Sequence, residues 1–220
     1  MPFSPFQLLL FLFLVVFLVA FVQVGLLTLA FDKLGISPSG GLTLLLASLF
    51  GSAVNLPVAR VRADDALAGD VPPMLRGLLR APDRPFTGET VIAVNLGGCV
   101  IPVLFSLHLL LNRPVDLLDL TLATVFVTFI SYRFSQPVPG LGIAMPMIIP
   151  PLAAAFAALL LDGTGNAPLA YISGTLGVLI GADLLHLKDI RHLGTPVASI
   201  GGAGTFDGIF MTGIIAALLA

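Results

Sequence analysis

Long apolar runs constrain the fold of this chain more than any other feature. The first extends from Phe6 to Phe31 without a charged residue, and six more follow. A helix needs about 20 mostly apolar residues to cross a membrane, and lipid requires the backbone polar groups to be satisfied within the protein. Because the runs are continuous rather than alternating in polarity, they exclude a β-barrel. The predicted segments are Phe6–Phe31, Ser39–Val58, Thr90–Leu111, Leu117–Phe134, Met147–Leu161, Leu169–Leu187 and Val197–Leu219.

The composition agrees with a membrane protein. Only 10% of the 220 residues are charged and 57% are hydrophobic, and the mean hydropathy is +1.07, whereas soluble domains carry about 25% charged residues. We therefore predict an all-α, polytopic transmembrane helical bundle of about seven spans that forms a single domain over residues 1–220. The net charge of −2 indicates no nucleic-acid partner. The single cysteine, Cys99, excludes an intrachain disulfide framework and a cysteine-type metal site.

A polar loop, residues 59–89, predicts how the chain is oriented in the membrane. Its centre, Pro73–Leu79, is expected to form a short amphipathic helix on the membrane surface. With seven spans, only Lys33 and Arg113 fall on the side opposite this loop. Because lysine and arginine favour the cytoplasmic side, we predict a multi-pass protein of the inner (plasma) membrane, with its N-terminus in the cytoplasm and its C-terminus outside. The basic residues on the cytoplasmic side are Arg60, Arg62, Arg76, Arg80, Arg84, Arg133, Lys188 and Arg191.

Two segments, residues 136–151 and 200–208, are predicted to be broken or re-entrant. The first contains five prolines, which cannot all fit into one straight helix. The second is rich in glycine. Non-helical backbone is tolerated at membrane depth only where protein or a water-filled cavity covers it. The alternative for both segments is an ordinary loop joined to helices that pack closely through small residues.

Two aspartates within the apolar runs are the main candidates for a functional site. Asp183 lies near the cytoplasmic end of the sixth predicted span, and Asp207 begins the final apolar run. An ionisable residue inside a span is costly and is therefore a functional candidate by default. Since the connection between these spans is short and the helices are antiparallel, we expect the two carboxyl groups to lie close together.

Further polar groups are predicted to share this membrane level. Asn55 and Asn95 each occupy a Val-Asn-Leu triplet at the cytoplasmic end of a span. They are candidates for contacting a substrate, or they belong to a hydrogen-bond network that holds helices together, in which each bond contributes about 1 kcal/mol or less. The other candidate residues of the site are Gln136, His186, Gly202, Gly204, Thr205 and Gly208.

Two neighbouring carboxyl groups have a specific chemistry. They cannot both ionise cheaply, so they share a proton. One carboxylate can then activate a water while the other protonates a carbonyl, or the pair can relay protons in a transporter. Acidic and histidine side chains also recur every three residues, at Asp183, His186, Asp189 and His192, but three residues turn a helix by about 300°. Because the four cannot face one point, we predict neither a metal nor another cofactor.

Several short blocks resemble those of a prokaryotic membrane-protein family of unknown function. The similarity covers most of the chain and implies that the blocks belong together, but it implies no activity. The blocks are Gly51-Ser-Ala-Val-Asn-Leu-Pro57, Val94-Asn-Leu-Gly-Gly98, Pro137-Val-Pro-Gly-Leu-Gly142, Gly181-Ala-Asp-Leu-Leu-His186 and Gly202-Ala-Gly-Thr-Phe-Asp-Gly208.

The last 45 or so residues also resemble, in part, the intramembrane aspartyl proteases of the presenilin and signal-peptide-peptidase group. Those proteins carry one aspartate in one helix and a second in a Gly-x-Gly-Asp motif in the next helix. The resemblance implies that Asp183 is the first aspartate and Asp207 the second. This sequence departs from the motif because Thr205 and Phe206 separate Gly204 from Asp207.

These observations lead to three functional hypotheses. The first is a presenilin-like intramembrane hydrolase that cleaves a transmembrane peptide with Asp183 and Asp207. The second is a small-solute or ion transporter, with or without proton coupling, whose broken helices and carboxyl groups line a cavity. The third is a membrane scaffold protein without chemistry. Membrane lipid is the expected partner under all three, while the substrate and the oligomeric state stay open.

Overall fold

The computed structural model describes residues 23–62, 88–138, 142–162, 166–202 and 208–220. Helix α1 (Gln23–Lys33) is followed by a tight turn and helix α2 (Pro38–Gly51), and the two helices meet at an angle of 107°. Gly35 permits the turn because its φ of 66° lies in the left-handed region. Ser37 then caps α2 by accepting a hydrogen bond from the Gly40 amide.

After α2 the chain enters a three-stranded mixed sheet. Its strands are β1 (Asn55–Arg62), β2 (Glu89–Asn95) and β5 (Val197–Ile200), in the order β1-β2-β5. β1 pairs antiparallel with β2, and β2 pairs parallel with β5. The β-branched run from Thr90 to Ile92 favours an extended backbone.

Five further helices complete the described fold. β2 leads through a π-helical segment (Leu96–Val100) into α3 (Ile101–Asn112), which is followed by α4 (Leu117–Phe134) and α5 (Ile149–Asp162). Strands β3 (Gln136–Val138) and β4 (Gly142–Ala144) form a small hairpin between α4 and α5. Next come α6 (Ala167–Val178), a second π-helical segment (Leu179–Leu184), a 3₁₀ turn (Asp189–His192), β5 and finally α7 (Gly208–Leu219).

The helices α2 to α7 alternate in direction between two ends of the bundle. At one end, which we call the sheet end, α2 finishes where Gly51 lies against Gly97. At the opposite, distal end, Lys33 donates to the Leu218 carbonyl at 3.0 Å, and α7 therefore finishes there. Asn166, at the start of α6, donates to the Pro114 carbonyl at 3.4 Å and places the starts of α4 and α6 at the distal end as well.

α6 is the central helix of the bundle. Its polar and small residues, including Ser173 and Thr175, are fully buried. Gly177 packs on Val127, and Gly181 packs on the backbone of Thr128, so α6 runs parallel to α4 at close range. α4, in contrast, is mostly exposed: only 22% of its residues are buried, and it presents a broad apolar surface. Such a surface is typical of contact with lipid or another apolar partner.

Two of the described helices are long and apolar enough to cross a membrane, α4 and the continuous segment Ala167–Leu184. The bent pair of α1 and α2 makes a third if it is counted as one span. The prediction of an all-α bundle with about seven spans is therefore too simple: the fold is mostly helical, but it includes the β1-β2-β5 sheet.

The sheet replaces helix in three of the predicted spans. Ser39–Val58 is helical only to Gly51, Thr90–Leu111 begins as strand β2, and Val197–Leu219 begins as strand β5. The polar loop predicted at residues 59–89 begins and ends in β1 and β2, and its expected amphipathic helix at residues 73–79 lies outside the described residues. The physical reason is that an extended backbone satisfies its polar groups by pairing with distant strands, which a local apolar pattern does not show.

Candidate functional site

Asp183 lies in the π-helical segment that ends the α6 region. This segment widens the helix where Gly181 approaches the Thr128 carbonyl oxygen so closely that a Cβ at position 181 would overlap it. π-helical turns inside α-helices frequently occur at functional sites. The Asp183 carboxylate accepts a hydrogen bond of 2.7 Å from the backbone N–H of Gly201. Asp183 therefore joins the end of the α6 region to the segment that follows β5.

The Gly201 N–H is presented by a tight turn. The Gly202 N–H donates to the Ser199 carbonyl at 3.4 Å, and Gly201 has a φ of 77° at the third position of this turn. A positive φ at this position is typical of a type II turn and favours glycine. A Cβ at Gly201 would also lie 2.6 Å from the Cβ of Cys99. Both the conformation and the space at position 201 therefore require glycine.

Asn95 is the centre of a second polar cluster, which adjoins this turn. Its side chain is 1% exposed, and its Oδ1 accepts from the Gly98 N–H at 2.8 Å and thereby caps the first π-helical segment. Its Nδ2 donates to the Ser52 carbonyl at 2.8 Å and to Asn55 Oδ1 at 3.1 Å. The Ser199 hydroxyl donates to the same Asn55 Oδ1 at 2.6 Å. We call Asn55, Asn95 and Ser199 the asparagine cluster.

The asparagine cluster and Asp183 share one turn. Ser199 begins the turn and bonds to the cluster, Gly201 bonds to Asp183, and Gly202 packs on the Asn95 carboxamide. Four sequence-predicted residues, Asp183, Asn55, Asn95 and Gly202, are thus brought together at the sheet end.

The other predicted residues have different surroundings. His186 is buried, packs against Tyr132 with the rings tilted by 34° and their centroids 4.8 Å apart, and donates from Nδ1 to the Gly181 carbonyl at 3.1 Å. Gln136 is exposed in the separate β3-β4 hairpin. Gly208 is the first residue of α7. Asp207, Gly204 and Thr205 lie outside the described residues.

Two residues of this arrangement were not predicted as site residues. Ser199 contributes a hydroxyl from the end of β5, and Gly201 contributes its backbone N–H. The Gly201-Gly202 pair was a signal for a tight turn, but the direction of a backbone N–H is not readable from the sequence. Ser199 had no signal, because its role depends on β5 pairing with β2.

Two clefts in the described part of the chain lie away from Asp183. One, of about 370 Å³, lies at the distal end. Another, of about 180 Å³, is an apolar groove between α4 and α5. The residues around the larger cleft are Pro114, Val115, Asp116, Asp119, Asn166 and Leu169.

Fold and site together define a mostly helical protein with two to three candidate membrane spans among the described residues, in which a small mixed sheet adjoins an acidic residue and the asparagine cluster, whose central residue Asn95 is buried. A family model described as "Protein of unknown function (DUF1614)" matches residues 49–219, which contain the sheet, the asparagine cluster and Asp183. The chain belongs to this family. No curated protein and no solved structure matches the chain.

Proposed function

We propose that this protein is a multi-pass membrane hydrolase that cleaves a peptide bond with the carboxyl groups of Asp183 and Asp207. The observation that carries the proposal is the hydrogen bond between Asp183 and the Gly201 N–H. It ties the end of the α6 region to the turn from which the chain continues, within six residues, to Asp207.

The direction of α7 supports the same pairing. Its last residues lie at the distal end, where Lys33 donates to Leu218, so its first residue, Gly208, belongs to the sheet end. Asp207 immediately precedes Gly208 in the sequence. Asp183 is at the sheet end as well, and this supports the proposal that the two aspartates form a pair.

The proposed chemistry needs only these two groups and water. One carboxylate takes a proton from the water as the water oxygen attacks the carbonyl carbon, and the other carboxyl donates its proton to the carbonyl oxygen. The C–N bond then breaks, the nitrogen receives a proton, and the products are a carboxylic acid and an amine. The substrate must present an unwound peptide bond, and a transmembrane peptide with a helix-breaking segment meets this requirement.

Cleavage of transmembrane peptides tests the proposal. Purified protein in liposomes is incubated with a panel of such peptides, and the products are identified by mass spectrometry. We expect wild-type protein to cleave at least one peptide and both Asp183→Asn and Asp207→Asn to lose at least about 100-fold in rate, since a proton-transfer group contributes about 10²–10⁴-fold. Asp189→Asn, a nearby acidic residue outside the proposed pair, is the matched control and should cleave normally. Unaltered cleavage in both variants of the pair would eliminate the hydrolase.

A transporter is the second candidate, and the breaks in the helices favour it. α1 and α2 meet at 107°, one π-helical segment joins β2 to α3 beside Asn95, and a second ends the α6 region at Asp183. Transporter sites use broken helices and polar groups in this way. Proton-dependent solute flux into liposomes that disappears in Asp183→Asn, without any peptide cleavage, would favour this function over hydrolysis.

A further inference from the structure

The Asn95 side chain joins three segments at the sheet end by hydrogen bonds. Its two Nδ2 bonds reach the end of α2 at Ser52 and the start of β1 at Asn55. Its Oδ1 reaches the π-helical segment at Gly98. A buried carboxamide with donor and acceptor both bonded is rigidly held, since each lost bond would leave a buried polar group unpaired.

The Asn95 carboxamide supports the Ser199–Gly202 turn at both of its ends. A Cβ at Gly202 would lie 3.1 Å from Cγ of Asn95, so the backbone of Gly202 packs directly on the carboxamide. The Ser199 hydroxyl is fixed through Asn55, which Asn95 itself holds. Both ends of the turn are therefore held by Asn95, directly at Gly202 and through Asn55 at Ser199. The N–H in the middle of the turn, that of Gly201, donates to Asp183.

We propose that Asn95 is a positioning residue for Asp183, which acts by holding the Ser199–Gly202 turn so that the Gly201 N–H is presented to the carboxylate. This inference rests on the proposed function for its catalytic meaning. Among the described residues, the side-chain hydrogen bonds of Asn95 go to Ser52, Asn55 and Gly98 and not to Asp183. Asn95 therefore acts on the carboxylate through the peptide group that donates to it. Ser199 and Asn55 transmit the constraint to the first residue of the turn.

The side-chain chemistry explains why an amide fits this position. Asparagine offers an acceptor for Gly98 and donors for Ser52 and Asn55 on one planar group. Aspartate has the same shape but lacks the donors, and it would set a negative charge against two oxygen acceptors. Alanine removes the contact to Gly202 as well. Asn95→Asp and Asn95→Ala therefore separate the loss of the donors from the loss of the packing surface.

Hydrogen exchange at the Gly201 amide tests the proposal in the full-length protein in lipid nanodiscs. Asp183→Ala is the reference, because it removes the acceptor of this N–H. We expect Gly201 exchange to become about two- to tenfold faster in Asp183→Ala and in Asn95→Ala, as for the loss of about one hydrogen bond. Ser106→Ala removes another buried hydroxyl, which bonds within α3 to the Pro102 carbonyl, and should leave the rate unchanged.

The double variant distinguishes positioning from a general structural role. If Asn95 acts by presenting the N–H to Asp183, then Asn95→Ala adds little to the exchange rate once Asp183 is already alanine. Full additivity of the two changes, or unchanged exchange in Asn95→Ala, overturns the proposal. Ser199→Ala serves in the same comparison if Asn95→Ala does not fold, because it removes only the Ser199–Asn55 bond.

Peptide cleavage provides the second measurement and separates this inference from the proposed function. If wild-type protein cleaves, Asn95→Ala and Asn95→Asp should lower kcat while KM stays within about twofold, because a positioning residue acts on Asp183 and not on the substrate. A change confined to KM contradicts the positioning role. If wild-type protein cleaves no peptide, the hydrolase fails, and the exchange experiment alone decides whether Asn95 positions Asp183.

Discussion

At the residue scale, glycines determine how closely the segments of the sheet end can approach. Gly97 lies two residues after Asn95, and a Cβ there would overlap the Ser48 carbonyl oxygen and the Ser52 amide nitrogen. These are backbone atoms at the end of α2 and cannot move aside like the tip of a flexible side chain. We expect Gly97→Ala to lower the free energy of unfolding by about 1–3 kcal/mol or more, measured by denaturation in detergent micelles.

The control for this prediction is Gly25→Ala, because a Cβ at Gly25 in α1 would meet nothing within 4 Å. Alanine stabilises the interior of a helix by about 1 kcal/mol relative to glycine. Gly25→Ala should therefore leave the free energy of unfolding unchanged or raise it. Equal destabilisation by the two substitutions would show that the backbone crossing at Gly97 is not as close as described.

The sequence could identify some residues of the site but not the way they are joined. Asp183, Asn55 and Asn95 stand out because polar groups in apolar runs are costly. The alternating direction of the predicted spans is enough to predict that all three lie at the same end of the bundle. The hydrogen bonds of Ser199 and Gly201 depend on a strand pairing between residues about 100 positions apart and on one positive φ. The glycine pair indicates a turn, but neither the strand pairing nor the direction of the Gly201 N–H leaves a local pattern.

At the element scale, helices with strong local signals were predictable and strands were not. The predicted span Leu117–Phe134 has the same bounds as α4, whose start is marked by the capping residue Asp116. Strand β2 instead lies in an apolar, β-branched run that continues into α3. A short apolar run of this kind cannot be assigned to helix or strand by periodicity, and pairing with β1 and β5 decides it.

The start of α6 offers a test of capping in the central helix. Asn166 Oδ1 accepts from the Leu169 N–H at 3.0 Å, and its Nδ2 donates to Pro114. We expect Asn166→Ala to lower the free energy of unfolding by about 1 kcal/mol. Asn166→Asp keeps the capping oxygen and adds a negative charge at a helix N-terminus, which is favourable, so it should retain most of the stability. A larger loss for Asp than for Ala would contradict the capping role.

At the scale of the whole molecule, basic residues are concentrated at the sheet end. The distal end has only Lys33 and Arg113 among the described basic residues, and both donate to backbone carbonyls. The distal end also holds exposed Asp32 and Asp116. The alternating direction of the helices brings the segments that carry the other basic residues to the sheet end. This uneven distribution of positive charge matches the bias that orients helical membrane proteins. The described basic residues of the sheet end are Arg60, Arg62, Arg133, Lys188 and Arg191.

The charge bias predicts that the sheet end, and with it Asp183, faces the cytoplasm. Single cysteines test this in a Cys99→Ser background, since Cys99 is the only native cysteine. Ser39 in the first turn of α2 is exposed at the distal end, and Lys188 is exposed at the sheet end. We expect a membrane-impermeant maleimide to label Ser39→Cys in intact cells and Lys188→Cys only after permeabilisation. Because basic segments resist transfer across the membrane, the reverse labelling would mean that another force sets the orientation, and the polar site would then open to the outside.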